Sequence, residues 1–542
     1  LIQRIKNPAQ FNDGVIWSAE LDFISRFSDW SKEIDLYWPL VKAERKDLSA
    51  LNIPVFFNHV KLQKVINPNG LVFESNLEPG LPRAILRLNN LTNEELQWQI
   101  QVIKASTFSY ASYQKNLLQN ENSAPEKDTD WNALLNKEVK AIASTLIDLA
   151  ITDEKGVSWI GIDWLGDSST ASRLVPLGPT LYGGNGGLAI FLAAYGAHFQ
   201  NSLASEYALL SLSGIHSDIS DSNAQRFARN LGIGGLSGLG SIIYSLTVVG
   251  ELLEKEKLID DAKIAAKLIS KELILADQTL DIVGGSAGAI LCLLKLFKKT
   301  KEDWILEKAV ECGDHLLKID RVSVNSKRSW TNNTVPGKPL NGFSHGASGY
   351  AYALSYLSKI TGLSRFKEAA LECLEYENAN YDANNQNWPP RVPENLEGPP
   401  LRDRLRTCQW CHGGVGVGLG RIALASHGLF ESTMIERDIQ RAIESSARNA
   451  NNNSDSLCCG RMGNIEFLHE AGRHTQSLDL KNSSLNNLIH CITTAHAHNS
   501  YNFNTGGGNG EFHLSLFRGI AGIGYTAMRK LNPRLPNVLI LE

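Results

Sequence analysis

Beyond about residue 130, hydrophobic and polar positions alternate between two patterns along this 542-residue chain. Segments such as LIDDAKIAAKLISKELIL, from Leu258 to Leu275, and ILEKAVECGDHLLKI, from Ile305 to Ile319, place apolar residues three and four apart, which predicts half-buried amphipathic helices. Between them lie segments that are small and apolar on most faces, which predicts helices buried all round. Before residue 120 the pattern differs. IPVFFNHVKLQKVINPNGLVFES reads as two or three strands around an Asn67-Pro68-Asn69-Gly70 turn. From Tyr113 to about Asp130 the chain is polar, Asn-rich and interrupted by Pro125, the composition of a linker.

Each all-apolar segment opens with Gly-x-x-Gly, the first glycine falling at Gly184, Gly235, Gly285, Gly346, Gly413, Gly460 and Gly519. With 45 glycines in the chain, roughly four such pairs arise by chance. The recurring context is therefore the stronger signal: LYGGNGGLAIFLAAYG, IVGGSAGAILCLLKL, FSHGASGYAYALSYL and WCHGGVGVGLGRIAL share one grammar. Seven units at intervals of 47 to 67 residues predict a repeat fold in which each unit supplies an outer helix and then an inner one. Inner helices that begin with glycine can approach closely, because no Cβ intervenes. The expected architecture is mostly α, a seven-repeat α/α toroid preceded by a small α+β segment. An open solenoid is the alternative, and the unequal intervals favour a closed ring.

Composition narrows the function classes. The net charge is −4 with no basic block, so a nucleic-acid surface is not expected. No apolar run reaches spanning length and no signal peptide opens the chain, which predicts a cytoplasmic protein. The chain begins at Leu1, within what reads as a longer protein. Eight cysteines in so long a chain are not a disulfide framework, and Cys292, Cys312, Cys373 and Cys491 read as small buried hydrophobes.

The chemistry concentrates just before the glycine pairs. One residue upstream stand Gly183, Gly234, Gly284, His345, His412, Cys459 and Arg518, and two upstream Tyr182, Ile233, Val283, Ser344, Cys411, Cys458 and Phe517. Metal-binding and acid/base side chains thus cluster in repeats four to six. Cys411, Cys458 and Cys459 are soft ligands suited to one Zn²⁺, and three protein ligands leave a fourth position for water or substrate. Cys408, in C-x-x-C spacing with Cys411, leaves open a closed structural four-cysteine site.

WCHGGVGVGLGR, LCCGRMGN, FSHGASGYAYAL and LFRGIAGIGYTAM together resemble the LanC-like cyclases, in the form found as the C-terminal domain of class II lanthipeptide synthetases. The resemblance covers residues 131–542; WPLVKAERKDLSALNIPVFF resembles the last segment of the dehydratase domain, so residues 1–109 would be its remnant and 110–130 a linker. It implies zinc-dependent intramolecular addition of peptide Cys thiols to dehydroalanine or dehydrobutyrine, forming lanthionine or methyllanthionine rings. Dehydration is not expected, because the kinase-like catalytic elements would lie upstream. The implied partners are a dehydrated precursor peptide, with leader and Cys-containing core, and the dehydratase domain.

The resemblance carries the zinc ligands to Cys411, Cys458 and Cys459. Many relatives have Cys-His-Gly where this chain has Cys458-Cys459-Gly460, so a thiolate replaces a neutral imidazole. Three thiolates give the zinc site a formal charge of about −1, and a substrate thiolate about −2, which loosens the hold on substrate sulfur and implies a fast, permissive cyclase. The resemblance also makes His345 the acid that protonates the enolate at Cα, Asp281 its polar companion, His412 a hydrogen-bond donor to substrate, and Arg406 a further candidate upstream of the first zinc cysteine. Asp281 read as a helix cap is the lesser alternative; His412 could equally be a packing residue. A non-catalytic zinc scaffold that binds thiols is the alternative reading. A toroid glycosidase would need paired carboxylates at the repeat positions, which are missing, and a zinc prenyltransferase normally includes a carboxylate ligand.

Overall fold

The computed structural model describes residues 43–70, 72–74, 79–107, 130–154, 156–164, 172–331, 338–390, 406–449, 454–498, 501–503 and 513–542. The chain divides into two compact units, Leu1–Gln99 and Ile100–Glu542, the boundary falling inside the helix Asn93–Thr107. The expected linker, 110–130, lies outside the described residues except for Asp130, whose carboxylate accepts from the Asn132 amide and caps the helix that follows. In the first unit three short antiparallel strands, Phe57–Asn58, Lys64–Ile66 and Val72–Glu74, pair in sequence order. The predicted turn joins the last two: Gly70 adopts φ 78° and its amide bonds the Asn67 carbonyl at 3.0 Å.

In the second unit, fourteen helices among the described residues build the ring. They are α1 (Trp131–Asp148), α2 (Asn185–Phe199), α3 (Ser202–Ser220), α4 (Leu239–Leu252), α5 (Glu256–Leu268), α6 (Ser286–Thr300), α7 (Asp303–Lys318), α8 (Ala347–Thr361), α9 (Ser364–Ala379), α10 (Gly414–Ala425), α11 (Ser432–Asn449), α12 (Arg461–His474), α13 (Leu478–His498) and α14 (Ile520–Leu531). The even-numbered helices form the inner wall, each packed on the next, and α14 packs back on α2, so the ring is closed. Closure removes the open ends a solenoid must cap.

Burial follows the two sequence patterns. Every residue of α2 from Asn185 to Gly196 is buried, whereas α7 buries only Ile305, Ala309, Cys312, Gly313, His315 and Leu316, a single stripe. Each fully buried Ile or Leu on such a stripe is worth about 1.5–3 kcal/mol. The pairing order differs from expectation. An inner helix packs most extensively on the outer helix that follows it, as α2 on α3, and the leftover first outer helix, α1, packs on the last inner helix, α14. The short link after each inner helix dictates this: α2 and α3 are separated only by Gln200 (φ 54°) and Asn201, whose side chain caps α3 through the Ala204 amide. The ring is thus latched by its own beginning and end.

Both glycines of the phrase have a steric cause. The chain loops over the inner helix starts so that backbone sits where a Cβ would be, at most of them a carbonyl six residues back: 2.3 Å from the position at Gly460 (Ser454) and 1.9 Å at Gly416 (Trp410). The same loop lets the first helical amide bond the carbonyl seven residues back, Asn185 to Gly178, Leu239 to Gly232, Ala347 to Leu340, Arg461 to Ser454 and Ile520 to His513. In the other two copies a side chain substitutes, Asp277 for Ser286 and Asn387 for Gly414. These contacts correct the register of repeat two: its helix cap is Gly238, the second glycine of the pair rather than Gly235, so the residues facing the centre are Leu236 and Ser237.

Candidate metal centre and active site

The residues two before each cap glycine are stitched into a belt. Backbone amides bond neighbouring carbonyls from Tyr182 to Leu236, Leu236 to Val283, Ile282 to Ser344, Ser344 to Cys411, Cys458 to Phe517 and Phe517 to Tyr182, at 3.0–3.4 Å. Six of the seven junctions are bridged in this way. The seventh lies between Cys411 and Cys458, and there the thiols meet. Cys459 Sγ is 3.5 Å from Cys411 Sγ and 3.2 Å from Cys458 Sγ, and all three sulfurs lie within 4.8 Å of one another. A tetrahedral ion with Zn–S of about 2.3 Å needs sulfurs about 3.8 Å apart, so this donor set fits zinc.

Local structure fixes each thiol. Cys411 precedes Gly413, which turns the chain at φ 94°, and the Gln409 amide bonds the His412 carbonyl at 2.7 Å. Trp410, fully buried, anchors the segment against Phe343 and Phe517 and donates its indole N–H to the Leu539 carbonyl at 2.9 Å. The Cys459 amide is held by Ser456 Oγ at 3.3 Å. Hydrogen bonds from Cys411 and Cys459 hold the Cys458 thiol well below its usual range, whereas hydrogen bonds to Cys458 and Cys459, with burial, push Cys411 well up.

Cys408 does not join the group. It is buried, and its sulfur faces Ser445 Oγ on α11 at 3.4 Å. Among the described residues, the metal-capable group consists of Cys411, Cys458 and Cys459. Cys292, Cys312, Cys373 and Cys491 are buried as expected, and burial raises the Cys373 thiol to about 12.

Asp281 and His345 form a second element. Asp281 is 1 % exposed; its Oδ2 lies 2.6 Å from His345 Nδ1 and its Oδ1 accepts the Gly284 amide at 2.8 Å. Helix capping falls instead to Asp277, which takes the Ser286 amide and hydroxyl, so Asp281 is available to the histidine. A carboxylate at Nδ1 fixes the proton there and leaves Nε2 as the exchanging nitrogen. His345 also borders a cavity of about 500 Å³ lined by Arg229, Ser237, Thr279 and Val283. The His412 ring lies 6.0 Å from that of His345, with Nδ1 3.4 Å from the Asn341 carbonyl. Arg406 is exposed, in a turn ahead of Cys408.

Two side chains at the repeat positions had no role assigned to them from sequence. Tyr182 and Arg518 come from repeats one and seven and meet where the ring closes, Arg518 Nε donating to the Tyr182 hydroxyl at 3.1 Å. Both stood at repeat positions, but their adjacency follows only from closure.

A closed seven-repeat α/α ring with a three-thiol group able to hold a metal and an Asp–His pair at the inner helix starts defines the class. Residues 175–540, more than half of the chain, match the family described as lanthionine synthetase C-like protein, and the chain belongs to that family. Among solved structures, nisin cyclase is similar at 14% identity and TM-score 0.52, over 67% of this chain and 92% of that one. A sugar epimerase from a ruminal bacterium (10% identity, TM-score 0.39, 75% and 100% coverage) and an unsaturated glucuronyl hydrolase from Bacillus sp. GL1 (13%, 0.39, 75% and 97%) are more distant. No curated protein matches. Among the described residues, no helix is long and apolar enough to cross a membrane.

Proposed function

We propose that this chain is a zinc-dependent lanthipeptide cyclase, adding Cys thiols of a dehydrated precursor peptide to dehydroalanine or dehydrobutyrine to form lanthionine and methyllanthionine rings. The observation that carries this reading is the grouping of three thiols at the belt junction of repeats five and six, which has no backbone bridge among the described residues, in a ring whose junction of repeats three and four presents His345 backed by Asp281. Cys411, Cys458 and Cys459 would hold one Zn²⁺, which when bound supplies a substrate sulfur in its nucleophilic thiolate form.

The remaining chemistry belongs to protein side chains. His345 Nε2 takes the proton released by the substrate thiol, while Nδ1 keeps its proton on Asp281 and the buried carboxylate stabilises the imidazolium. The sulfur bonds to the alkene Cβ, the π pair moves onto Cα and its carbonyl, and Nε2 returns the proton to Cα. One C–S and one C–H bond form, one S–H and one C=C π bond are lost, and the mass is unchanged. His412, with Nδ1 on the Asn341 carbonyl, directs Nε2 to the substrate carbonyl; Arg406 would bind the peptide outside the reacting atoms. The cavity beside His345 receives the residue flanking the alkene. On this reading residues 1–109 would belong to a dehydratase domain and 131–542 to the cyclase.

The test presents the zinc-loaded chain with a pre-dehydrated, Cys-containing peptide and counts free thiols by alkylation and mass spectrometry. Thiol loss above background, abolished by Cys459→Ala and kept by Cys408→Ala, supports the cyclase. Persistence of thiols at the background rate with zinc bound would favour a non-catalytic thiol-binding scaffold.

A further inference from the structure

The segment ahead of α8, Asn341 to His345, lies directly on the backbone of Cys411 and His412. Ser344 donates its amide and its hydroxyl to the Cys411 carbonyl at 3.4 and 3.3 Å, and the Asn341 carbonyl faces His412 Nδ1 at 3.4 Å. Between them Gly342 turns at φ 105°, where a Cβ would stand 2.6 Å from the Cys411 carbonyl oxygen and 2.8 Å from His412 Cα. Its amide goes to a side chain: Glu377 Oε1, on α9, accepts it at 2.8 Å. Glu377 is fully buried, and its other oxygen takes the Ser348 hydroxyl and the Arg421 guanidinium, the latter at 2.9 Å. Arg421, on α10, is fully buried as well; its Nε reaches Asp438 on α11 at 3.1 Å and its Nη1 the Ser348 hydroxyl at 3.2 Å. Helices α8, α9, α10 and α11 thus converge on one carboxylate, and that carboxylate ends on one backbone amide of the site.

We propose that Glu377, oriented by Arg421, is a positioning residue for ring closure: through the Gly342 amide it sets where His345 stands relative to Cys411 and His412. This rests on the cyclase reading above. A buried ion pair is a poor source of stability, since apolar residues of the same volume commonly do as well. What it supplies here is placement. The segment lies outside helix and strand, so its shape depends on bonds to side chains. A carboxylate that is itself tied to a guanidinium by a charge-assisted bond holds such a segment more firmly than a neutral partner does. Weaker tethers add to it: Tyr376 donates to the Pro339 carbonyl at 2.7 Å, and the Asn380 side chain to that of Asn341 at 3.3 Å. Glu377, at 0 % exposure, cannot touch substrate itself.

The test measures kcat and KM separately for thiol loss from a pre-dehydrated, Cys-containing peptide, using the zinc-loaded full chain. Glu377→Gln keeps the volume, but an amide accepts on one atom only. Its oxygen stays with Arg421, and its NH₂ turns on the Gly342 amide, donor against donor. The expected result is a kcat lower by about 10- to 100-fold, with KM and zinc content unchanged. Asp438→Asn is the comparison: it weakens the far side of the same buried network and leaves Glu377 on Gly342, so it should lower the melting temperature and keep the parental kcat. Should Glu377→Gln fail to fold, Tyr376→Phe and Asn380→Ala each cut one tether of the segment and should lower kcat by smaller factors; parental kcat in both then overturns the proposal. A folded Glu377→Gln protein with the parental kcat overturns it, as does an Asp438→Asn protein whose kcat falls equally far. A parent chain that binds zinc and closes no rings overturns the cyclase reading, and the proposal with it.

Discussion

Replacing Asp281 by Asn changes one buried atom and tests the proposed proton path. The amide oxygen can keep the Gly284 hydrogen bond of 2.8 Å, so the turn before α6 is preserved, and Asp277 continues to cap that helix. The change falls on the other side, where a carboxylate oxygen 2.6 Å from His345 Nδ1 becomes an NH₂ group. That group can only donate, so Nδ1 must accept and the proton moves to Nε2, the nitrogen that has to take the thiol proton. Loss of a hydrogen bond to a charged partner costs about 1.5–3 kcal/mol, roughly 10- to 150-fold in rate. Tautomer reversal adds to this, as it does in a Ser-His-Asp triad, where the equivalent change costs about 10⁴. The expected loss in kcat/KM for ring closure is therefore at least about 100-fold, read as the rate of free-thiol disappearance from a pre-dehydrated peptide. Zinc content and melting temperature should match the parent, because the thiols are held at the starts of α10 and α12. An Asp281→Asn enzyme with ring closure as fast as the parent's, at equal zinc, would refute the assignment of His345 and Asp281 to the proton path.

Further outcomes follow from the same structure. Cys408→Ala should keep one zinc per chain by metal analysis and cyclise at the parental rate, since its sulfur faces Ser445; Cys459→His should bind zinc but close rings more slowly, because a neutral ligand leaves substrate sulfur less electron-rich. Gly416→Ala puts a Cβ 1.9 Å from the Trp410 carbonyl, and is expected to cost about 3 kcal/mol or more in a chemical melt and to lower zinc content, since that carbonyl immediately precedes Cys411. Gly214→Ala on α3 meets nothing within 4 Å and should instead stabilise by about 0.5–1 kcal/mol. His427, in ring contact with both Tyr352 and Tyr356, is held down to about 4 by burial and then by Lys359. Its folded value lies below its unfolded one, so it contributes stability present above about pH 6.5 and lost as pH falls towards 4, up to roughly 3 kcal/mol. His427→Phe should flatten stability over that window in denaturant titrations, and an unchanged slope would count against the assignment.

The periodicities of α5 and α7, the seven glycine phrases and the three-cysteine group were all legible in the residues, because each is a local consequence of helix geometry, steric exclusion or ligand chemistry. Asp281 and His345 could be named from sequence, but not that one carboxylate holds the other's ring while Asp277 takes over the capping. Their separation of 64 residues is bridged only when α6 and α8 pack side by side. Read in one dimension, repeat two falls three residues early because Gly235 and Gly238 make a complete Gly-x-x-Gly, whereas the phrase that starts at the cap Gly238 has Ser241 where the second glycine stands elsewhere. Only the loop over α4 selects Gly238, through the bond from Leu239 to Gly232.

Closure itself was beyond the sequence. Which outer helix serves which inner one depends on whether a link is too short to cross the ring, and α1 meets α14 because every other inner helix already has its partner. The meeting of Tyr182 with Arg518 is a consequence of that latch. Sequence determined what each repeat contributes, since side-chain type and helical spacing are properties of a segment. Tertiary structure decided which contributions face one another, since that is a property of a closed ring, in which the first repeat and the last are neighbours.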